Sequence, residues 1–207
     1  SLVGSEMCIR DSISTTGLTY QQQDVSETVN CLSWNDVINA GGGNDTINAN
    51  GGDDIIYAED GNDIVNAGEG NDTLVGGKGN DTLNGGVGSD IYHYNLGDGF
   101  DTIYDEGGTD RIVFGEGIAF SDLSFRNEGN NLRVFVKGNE QQGFCINDFF
   151  NGNNYKIERL QFADGSSKSL RNLGLTFNQS NDSETITGTN YNDVIYANGG
   201  DDIINAS

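Results

Sequence analysis

Aspartates recur along the first half of the chain at a fixed interval of nine residues, at Asp36, Asp45, Asp54, Asp63, Asp72, Asp81 and Asp90. A hydrophobic or aromatic residue follows two positions after each of them, and glycine stands two positions before all except Asp36. Aspartate supplies a charged oxygen, and the glycine-rich stretches can turn sharply and expose backbone carbonyls. Calcium is a hard cation that takes about six to eight oxygen ligands of these kinds. The pattern therefore predicts calcium ligation along a repeat.

The cleanest repeat unit runs from Gly76 to Asn84 and reads GGKGNDTLN. Further aspartates at matching places, Asp101, Asp193 and Asp202, are added to the seven above as predicted metal ligands. The predicted ligand set also includes the turn glycines Gly41, Gly43, Gly52, Gly61, Gly68, Gly70, Gly77, Gly79, Gly86 and Gly88. Several bound calcium ions are expected.

The elements that must position these ligands are short strands joined by glycine-rich turns. Each nine-residue unit is expected to form one turn and one strand, with the hydrophobic residue pointing inward. Two units then make one coil of a parallel β-roll, so turns two units apart stack on each other. This predicts one ladder through Asp36, Asp54, Asp72 and Asp90, and a second through Asp45, Asp63 and Asp81.

The alternative to a folded repeat is a solvated, low-complexity linker that binds no metal. Composition is compatible with it, because the chain has 31 Gly, no Pro, only 34% hydrophobic residues and a formal net charge of −22. Such chains stay disordered unless something besides hydrophobic burial drives folding. The aspartate, the preceding glycine and the following hydrophobic residue keep the same spacing in successive units, which favours the folded repeat over the linker. The negative charge attracts cations and argues against nucleic acid as a partner.

Residues 1–12 are set aside before the fold is inferred from the sequence. Leu2 to Ser12 reads LVGSEMCIRDS, which resembles a translated sequencing adapter, and we interpret it as an assembly artefact. The expected organisation then comprises a lead-in segment at 13–30, a β-roll at 31–104, a β-rich capping domain at 105–172, and a second lead-in and roll at 173–207. Both ends are expected to be artificial, which makes the chain a slice of a longer protein.

Residues 105–172 carry strand patterns instead of the nine-residue repeat, for example around Arg111–Phe114 and Leu132–Val136. This part of the chain resembles the domain that follows the repeats in haemolysin-type calcium-binding proteins. The motifs that carry the resemblance are Gly97-Asp98-Gly99-Phe100-Asp101-Thr102-Ile103, Gly117-Ile118 with Asp122-Leu123, Asp148-Phe149-Phe150, and Ile157-Glu158-Arg159-Leu160-Gln161-Phe162-Ala163-Asp164-Gly165. The repeats themselves match the calcium-binding repeat of the secreted RTX type.

The resemblance implies a secreted, extracellular calcium-binding protein of a Gram-negative bacterium, exported by a type I secretion system and folding on calcium. The parent is expected to be a toxin or a large adhesin, or else a lipase or metalloprotease with this segment as its non-catalytic tail. No enzymatic activity is expected of the segment itself, because the chain has one His and no serine-hydrolase, zinc-protease or phosphate-loop motif. Cys31 and Cys145 are interpreted as two unpaired thiols, although a bridge between them stays open.

Overall fold

The computed structural model describes residues 6–7, 19–21, 25–151, 157–170, 175–178, 182–183, 185–188 and 193–205. These residues form an all-β fold that includes a short 3-10 turn, η1, at Phe120–Asp122. No helix among them is long and apolar enough to cross a membrane.

The strands in the first part of the chain follow one another at nearly regular intervals. They are β1 (Glu6–Met7), β2 (Thr19–Gln21), β3 (Thr28–Asn30), β4 (Val37–Asn39), β5 (Thr46–Asn48), β6 (Ile55–Asp60), β7 (Ile64–Glu69), β8 (Thr73–Lys78), β9 (Thr82–Val87), β10 (Ile91–Tyr94) and β11 (Phe100–Tyr104). The remaining strands are β12 (Arg111–Phe114), β13 (Leu123–Glu128), β14 (Asn131–Val136), β15 (Asn139–Ile146), β16 (Arg159–Gln161), β17 (Ser167–Ser169), β18 (Thr176–Asn178), β19 (Thr185–Thr187), β20 (Val194–Tyr196) and β21 (Ile203–Asn205).

Consecutive strands of the repeat belong to opposite sheets. Sheet A has the order β1-β3-β5-β7-β9-β11-β15-β14-β13-β18-β20, and sheet B has the order β17-β16-β12-β10-β8-β6-β4-β2. Each strand from β3 to β9 pairs in parallel with the strand two further along, as in the register Ile47↔Val65. The predicted parallel β-roll, with two units to a coil, is therefore confirmed.

The interior of the roll is built from two inward positions in each unit. The first carries Ile38, Ile47, Ile56, Val65, Leu74, Leu83 and Tyr92, which are at most 1% exposed. The second, two residues later, carries the fully buried Ala40, Ala49, Ala58 and Ala67, followed by Gly76 and Gly85. Large residues thus fill the centre of each strand, while small residues lie where the chain begins to turn. Alternation of buried and outward residues is what a half-buried strand requires.

The coil lengthens at its last turns without losing its strand pairing. Ladder contacts between regular coils join residues 18 apart, but the contact from Asp81 reaches Asp101, 20 residues on. The additional residues form the turn at Asn95–Gly99, and β11 still pairs with β9 in the register Ile103↔Leu83. Insertions in a turn are therefore absorbed outside the sheets.

Both sheets continue past residue 104, where the sequence predicted a boundary. In sheet B, β12 pairs in parallel with β10, and β16 pairs in parallel with β12. In sheet A, β15 pairs in parallel with β11 and then joins the antiparallel strands β14 and β13. The segment expected to cap the roll thus contributes strands to the same two sheets, and its buried residues belong to the same hydrophobic cluster as those of the roll.

Aromatic side chains fill the interior where the roll meets the following segment. Phe114 stacks on Phe162 with ring centroids 5.0 Å apart, and Tyr94 contacts Phe144 edge-on at 5.6 Å. On the far side, β13 pairs in parallel with β18 through Phe125↔Phe177, and β20 continues the sheet. The segment therefore joins two stretches of roll, whereas a cap would terminate one.

The interpretation of two unpaired thiols is wrong for Cys31. Cys31 is disulfide-bonded, whereas Cys145 is a free thiol. A bridge between these two residues is thereby excluded. The nine-residue pattern carries no information on this bond, because Cys31 stands at the second inward position, where Ala serves in the following units.

We predict that glycine at the stacked turns is needed for two separate reasons, which Gly79 and Gly97 distinguish. Both have positive φ, at 144° and 101°, but an added Cβ at Gly79 would overlap the carbonyl oxygen of Gly61, whereas none lies near Gly97. Gly97→Ala should cost only the left-handed backbone conformation, about 1–2 kcal/mol. Gly79→Ala should lower the stability of the fold clearly more, because the added Cβ would force two stacked coils apart. Calcium titrations followed by circular dichroism measure this, and equal midpoints for the two variants would contradict the close stacking.

Candidate calcium-binding turns

The turns of the roll stack so closely that their backbones nearly touch. All ten glycines that the sequence assigned to the metal site have positive φ. Added Cβ atoms at Gly61, Gly70 and Gly88 would overlap the carbonyl oxygens of Gly43, Gly52 and Gly70, respectively, in the preceding coil. Each turn therefore brings backbone carbonyls to the next turn, as a cation held between two turns requires.

The aspartates form the two predicted ladders through a repeated hydrogen bond. The backbone N–H of each aspartate donates to Oδ1 of the aspartate one coil further on. In the first ladder these bonds are Asp36 to Asp54 (2.7 Å), Asp54 to Asp72 (2.8 Å) and Asp72 to Asp90 (2.8 Å). In the second they are Asp45 to Asp63 (2.7 Å), Asp63 to Asp81 (2.8 Å) and Asp81 to Asp101 (3.0 Å).

The second oxygen of these carboxylates is left over for a ligand. Oδ2 has no hydrogen-bond partner and is shielded from solvent in Asp45, Asp54, Asp63, Asp72, Asp81 and Asp90. A buried carboxylate oxygen without a partner is costly, so such atoms are expected to bind a metal or a proton. The oxygen-only donor set of carboxylates and nearby glycine carbonyls fits calcium. These turns would hold the ions, whose chemistry here is charge neutralisation and cross-linking of coils.

The electrostatics of the metal-free ladders oppose ionisation of the carboxylates. Burial raises the pKa of Asp54 and Asp81 to about 7, and the pKa of Asp63 and Asp72 to about 6. Neighbouring carboxylates raise the pKa further, as Asp72 and Asp36 do for Asp54. A divalent cation removes both causes, because it compensates the desolvation and separates the like charges.

The two predicted ligands of the second roll, Asp193 and Asp202, each lie directly before a short strand, and Asp193 repeats the ladder hydrogen bond. Asp193 Oδ1 accepts a hydrogen bond of 2.7 Å from the backbone N–H of Leu175, the residue before β18. Asp202 lies directly before β21, which pairs in parallel with β19. The two are less enclosed than the ladder residues of the first roll. Glu27, 18 residues before Asp45, donates its N–H to Asp45 Oδ1 at 2.7 Å.

Two ladder residues were missed by the sequence analysis, Asp110 and Glu158. The N–H of Asp90 donates to Asp110 Oδ1 at 2.7 Å, and the N–H of Asp110 donates to Glu158 Oε2 at 2.7 Å. Asp110 follows Gly107-Gly108-Thr109 and stands nine residues after Asp101, so the repeat pattern was available to identify it. Glu158 has no such signal, because it lies 48 positions after its ladder neighbour Asp110.

Stacked glycine turns and carboxylate ladders define a parallel β-solenoid that binds calcium. The RTX calcium-binding nonapeptide repeat (4 copies) matches residues 35–65, 57–92, 66–99, 93–118 and 179–207. These matches cover more than half of the chain, which belongs to the RTX calcium-binding repeat family. The haemolysin-type calcium binding protein related domain matches residues 131–167. The resemblance drawn from the sequence motifs is thus confirmed, and with it calcium as the ligand of the repeats.

No curated relative matches the chain in sequence. Among solved structures, the chain is similar to the extracellular lipase LipA from Serratia marcescens, with 16% identity and a TM-score of 0.24. The match covers 87% of this chain and 27% of the lipase, so the chain spans about a quarter of that protein's length.

We predict that mid-ladder aspartates matter more for calcium binding than the first one. Asp72 is fully buried between Asp54 and Asp90 of its ladder, whereas Asp36 lies in a glycine-poor turn beside the exposed Trp34. Asp72→Asn keeps an oxygen for the N–H of Asp54 but removes one charge. It should raise the calcium midpoint of folding by about tenfold, and Asp36→Asn should raise it much less. Equal shifts in parallel titrations would argue against ions shared between coils.

We also predict opposite pH dependences for the metal-free and calcium-loaded forms. Since the folded-state pKa values of about 6–7 in Asp54, Asp63, Asp72 and Asp81 exceed the ordinary value of 3.8, the metal-free fold binds more protons than the unfolded chain. Its stability is greatest below about pH 4 and is lost as pH rises through about 6–7. Circular dichroism in chelator should show β structure increasing on acidification. The calcium midpoint should instead rise as protons compete for the ligands. If the circular dichroism of the metal-free chain does not change with pH, the result would contradict the raised pKa values.

Proposed function

We propose that this chain is a calcium-dependent structural and secretion module of a larger exported protein. The observation that carries the proposal is the pair of ladders in which buried Oδ2 atoms face no partner. Where calcium is scarce, the buried carboxylates destabilise such a fold, and bound calcium stabilises it. The module would therefore cross a type I secretion system unfolded and fold after export from a Gram-negative cell.

The difference in calcium concentration between the inside and outside of a cell supports this role. Extracellular calcium modules typically bind with dissociation constants of about 10⁻⁴–10⁻³ M, well above cytosolic calcium. A chain with a formal charge of −22 repels itself when compact, and each bound ion removes part of that repulsion. Metal binding and folding are then one event, as in small metal-dependent domains.

We propose that the segment itself is not catalytic. It would instead stabilise a larger toxin-like or adhesin-like protein and support the export of that protein. The return of ladder contacts at Asp193 and of parallel pairing between β19 and β21 supports an array with more than one roll. Recovery of the complete reading frame tests this. Further rolls upstream would support an adhesin-like array, and a serine or zinc hydrolase motif would make the module the tail of a secreted enzyme.

The prediction that tests calcium-coupled folding compares calcium with magnesium. In chelator near neutral pH the chain should show little β structure, and millimolar calcium should induce it. Magnesium should fail, because it demands about six tight octahedral ligands and gives up its waters reluctantly, which a carbonyl-rich turn does not satisfy. Circular dichroism with sedimentation as a control for aggregation measures both. A strong β signal in chelator at neutral pH, or equal responses to the two metals, would overturn the proposal.

A further inference from the structure

One inward position of the roll carries Ala or Gly in the regular units but Asp at the last turn. Five residues before each ladder aspartate from Asp45 to Asp90 the chain carries a small buried residue, first Ala40, Ala49, Ala58 and Ala67, and then Gly76 and Gly85. Five residues before Asp110 stands Asp105, which is only 5% exposed. A carboxylate thus occupies an interior position that the regular units reserve for Ala or Gly. Burying a charge there is costly unless something compensates it.

The inward residue beside Asp105 also departs from the repeat. Tyr92 stands where the earlier units have Ile, Val or Leu. Its hydroxyl donates to Asp105 Oδ2 at 2.8 Å and accepts from the N–H of Gly85 at 2.9 Å. The other oxygen, Asp105 Oδ1, accepts from the N–H of Gly107 at 2.9 Å. Asp105 is therefore held in one orientation inside the last coil.

This orientation brings a third carboxylate to the ladder. Asp90, Asp105 and Asp110 each offer one oxygen, and these oxygens lie within 4.8 Å of one another. Asp90 and Asp110 are fully buried, and the Oδ2 atoms of both have no hydrogen-bond partner. None of the salt bridges among the described residues involves any of the three. Two unpartnered buried oxygens beside a third carboxylate leave a concentration of negative charge that a cation would neutralise.

We propose that Asp90, Asp105 and Asp110 form a three-carboxylate calcium site that differs from the steps of the regular ladder. The inference rests on the proposed function, since it assumes that the ladders bind calcium, but it assigns to Asp105 a role that no regular unit has. An additional carboxylate raises the affinity for a hard divalent cation. This step is therefore the tightest of the first ladder, and it fills before the steps at Asp54 and Asp72.

The test counts bound ions by native mass spectrometry of the full chain while calcium is raised from micromolar to millimolar. Asp105→Asn keeps the size of the side chain and an oxygen for the hydroxyl of Tyr92. It should remove the first ion to bind, or weaken it by at least about tenfold. The matched control is Glu106→Gln, which removes the same charge from an exposed side chain in the same turn. The control should bind calcium as the unmodified chain does.

A second variant, Asp105→Ala combined with Tyr92→Leu, restores to this turn the residue types of the regular units. It guards against misfolding of the single variant, since it removes the buried carboxylate together with its partner. If the site binds calcium, the double variant folds at higher calcium and loses the tight ion. If Asp105 is only a structural partner of Tyr92, or the three carboxylates share a proton, both variants keep every ion at unchanged affinity. That result overturns the inference while leaving the proposed function intact. Absence of calcium binding by the unmodified chain would instead refute the proposed function.

Discussion

The structure depends on stacking buried carboxylates of like charge at the spacing of neighbouring β-strands, roughly 4.8 Å. Each ladder aspartate from Asp45 to Asp90 uses one oxygen to accept the backbone N–H of the preceding coil and leaves the other without a partner. A carboxylate column of this kind is unstable alone, so the fold requires positive charge from outside the chain. The glycines two positions before the ladder aspartates follow from the same constraint, because a Cβ at Gly61, Gly70 or Gly79 would overlap a carbonyl oxygen of the preceding coil.

The sequence predicted the regular part of this arrangement because a constant interval fixes both strand register and ladder pairing. The pairs Asp54–Asp72 and Asp63–Asp81 follow from counting two units along the chain. Counting fails where the coil grows by two residues and where the next ladder residue, Glu158, lies 48 positions after Asp110. Contacts there depend on which strand pairs with the open edge of the sheet. No fixed interval in the sequence indicates this pairing.

Residues 105–172 show why a capping segment and a connecting segment look alike in sequence. Both require alternating apolar strands and bulky aromatics, since both cover the last coil of a roll. The two kinds of segment differ in the strand edge that they present on the side facing away from the first roll. Here β13 presents an edge that pairs with β18, and Phe150 contacts Phe177 with ring centroids 6.0 Å apart. Parallel pairing across that edge extends sheet A into the second roll, which protects a strand edge that a cap would have to block by other means.

The ladder bonds also determine how the bound ions depend on one another. Asp72 accepts from the N–H of Asp54 and donates its own N–H to Asp90, so its carboxylate is positioned by the coil before it and its backbone by the coil after it. An ion at one step orders the turn that supplies ligands to the next step. Conversely, loss of an ion restores like-charge repulsion at both neighbouring steps. Sites linked in this way are coupled through the order of the turns they share. The array is therefore expected to respond to calcium more steeply than isolated turns of the same composition would.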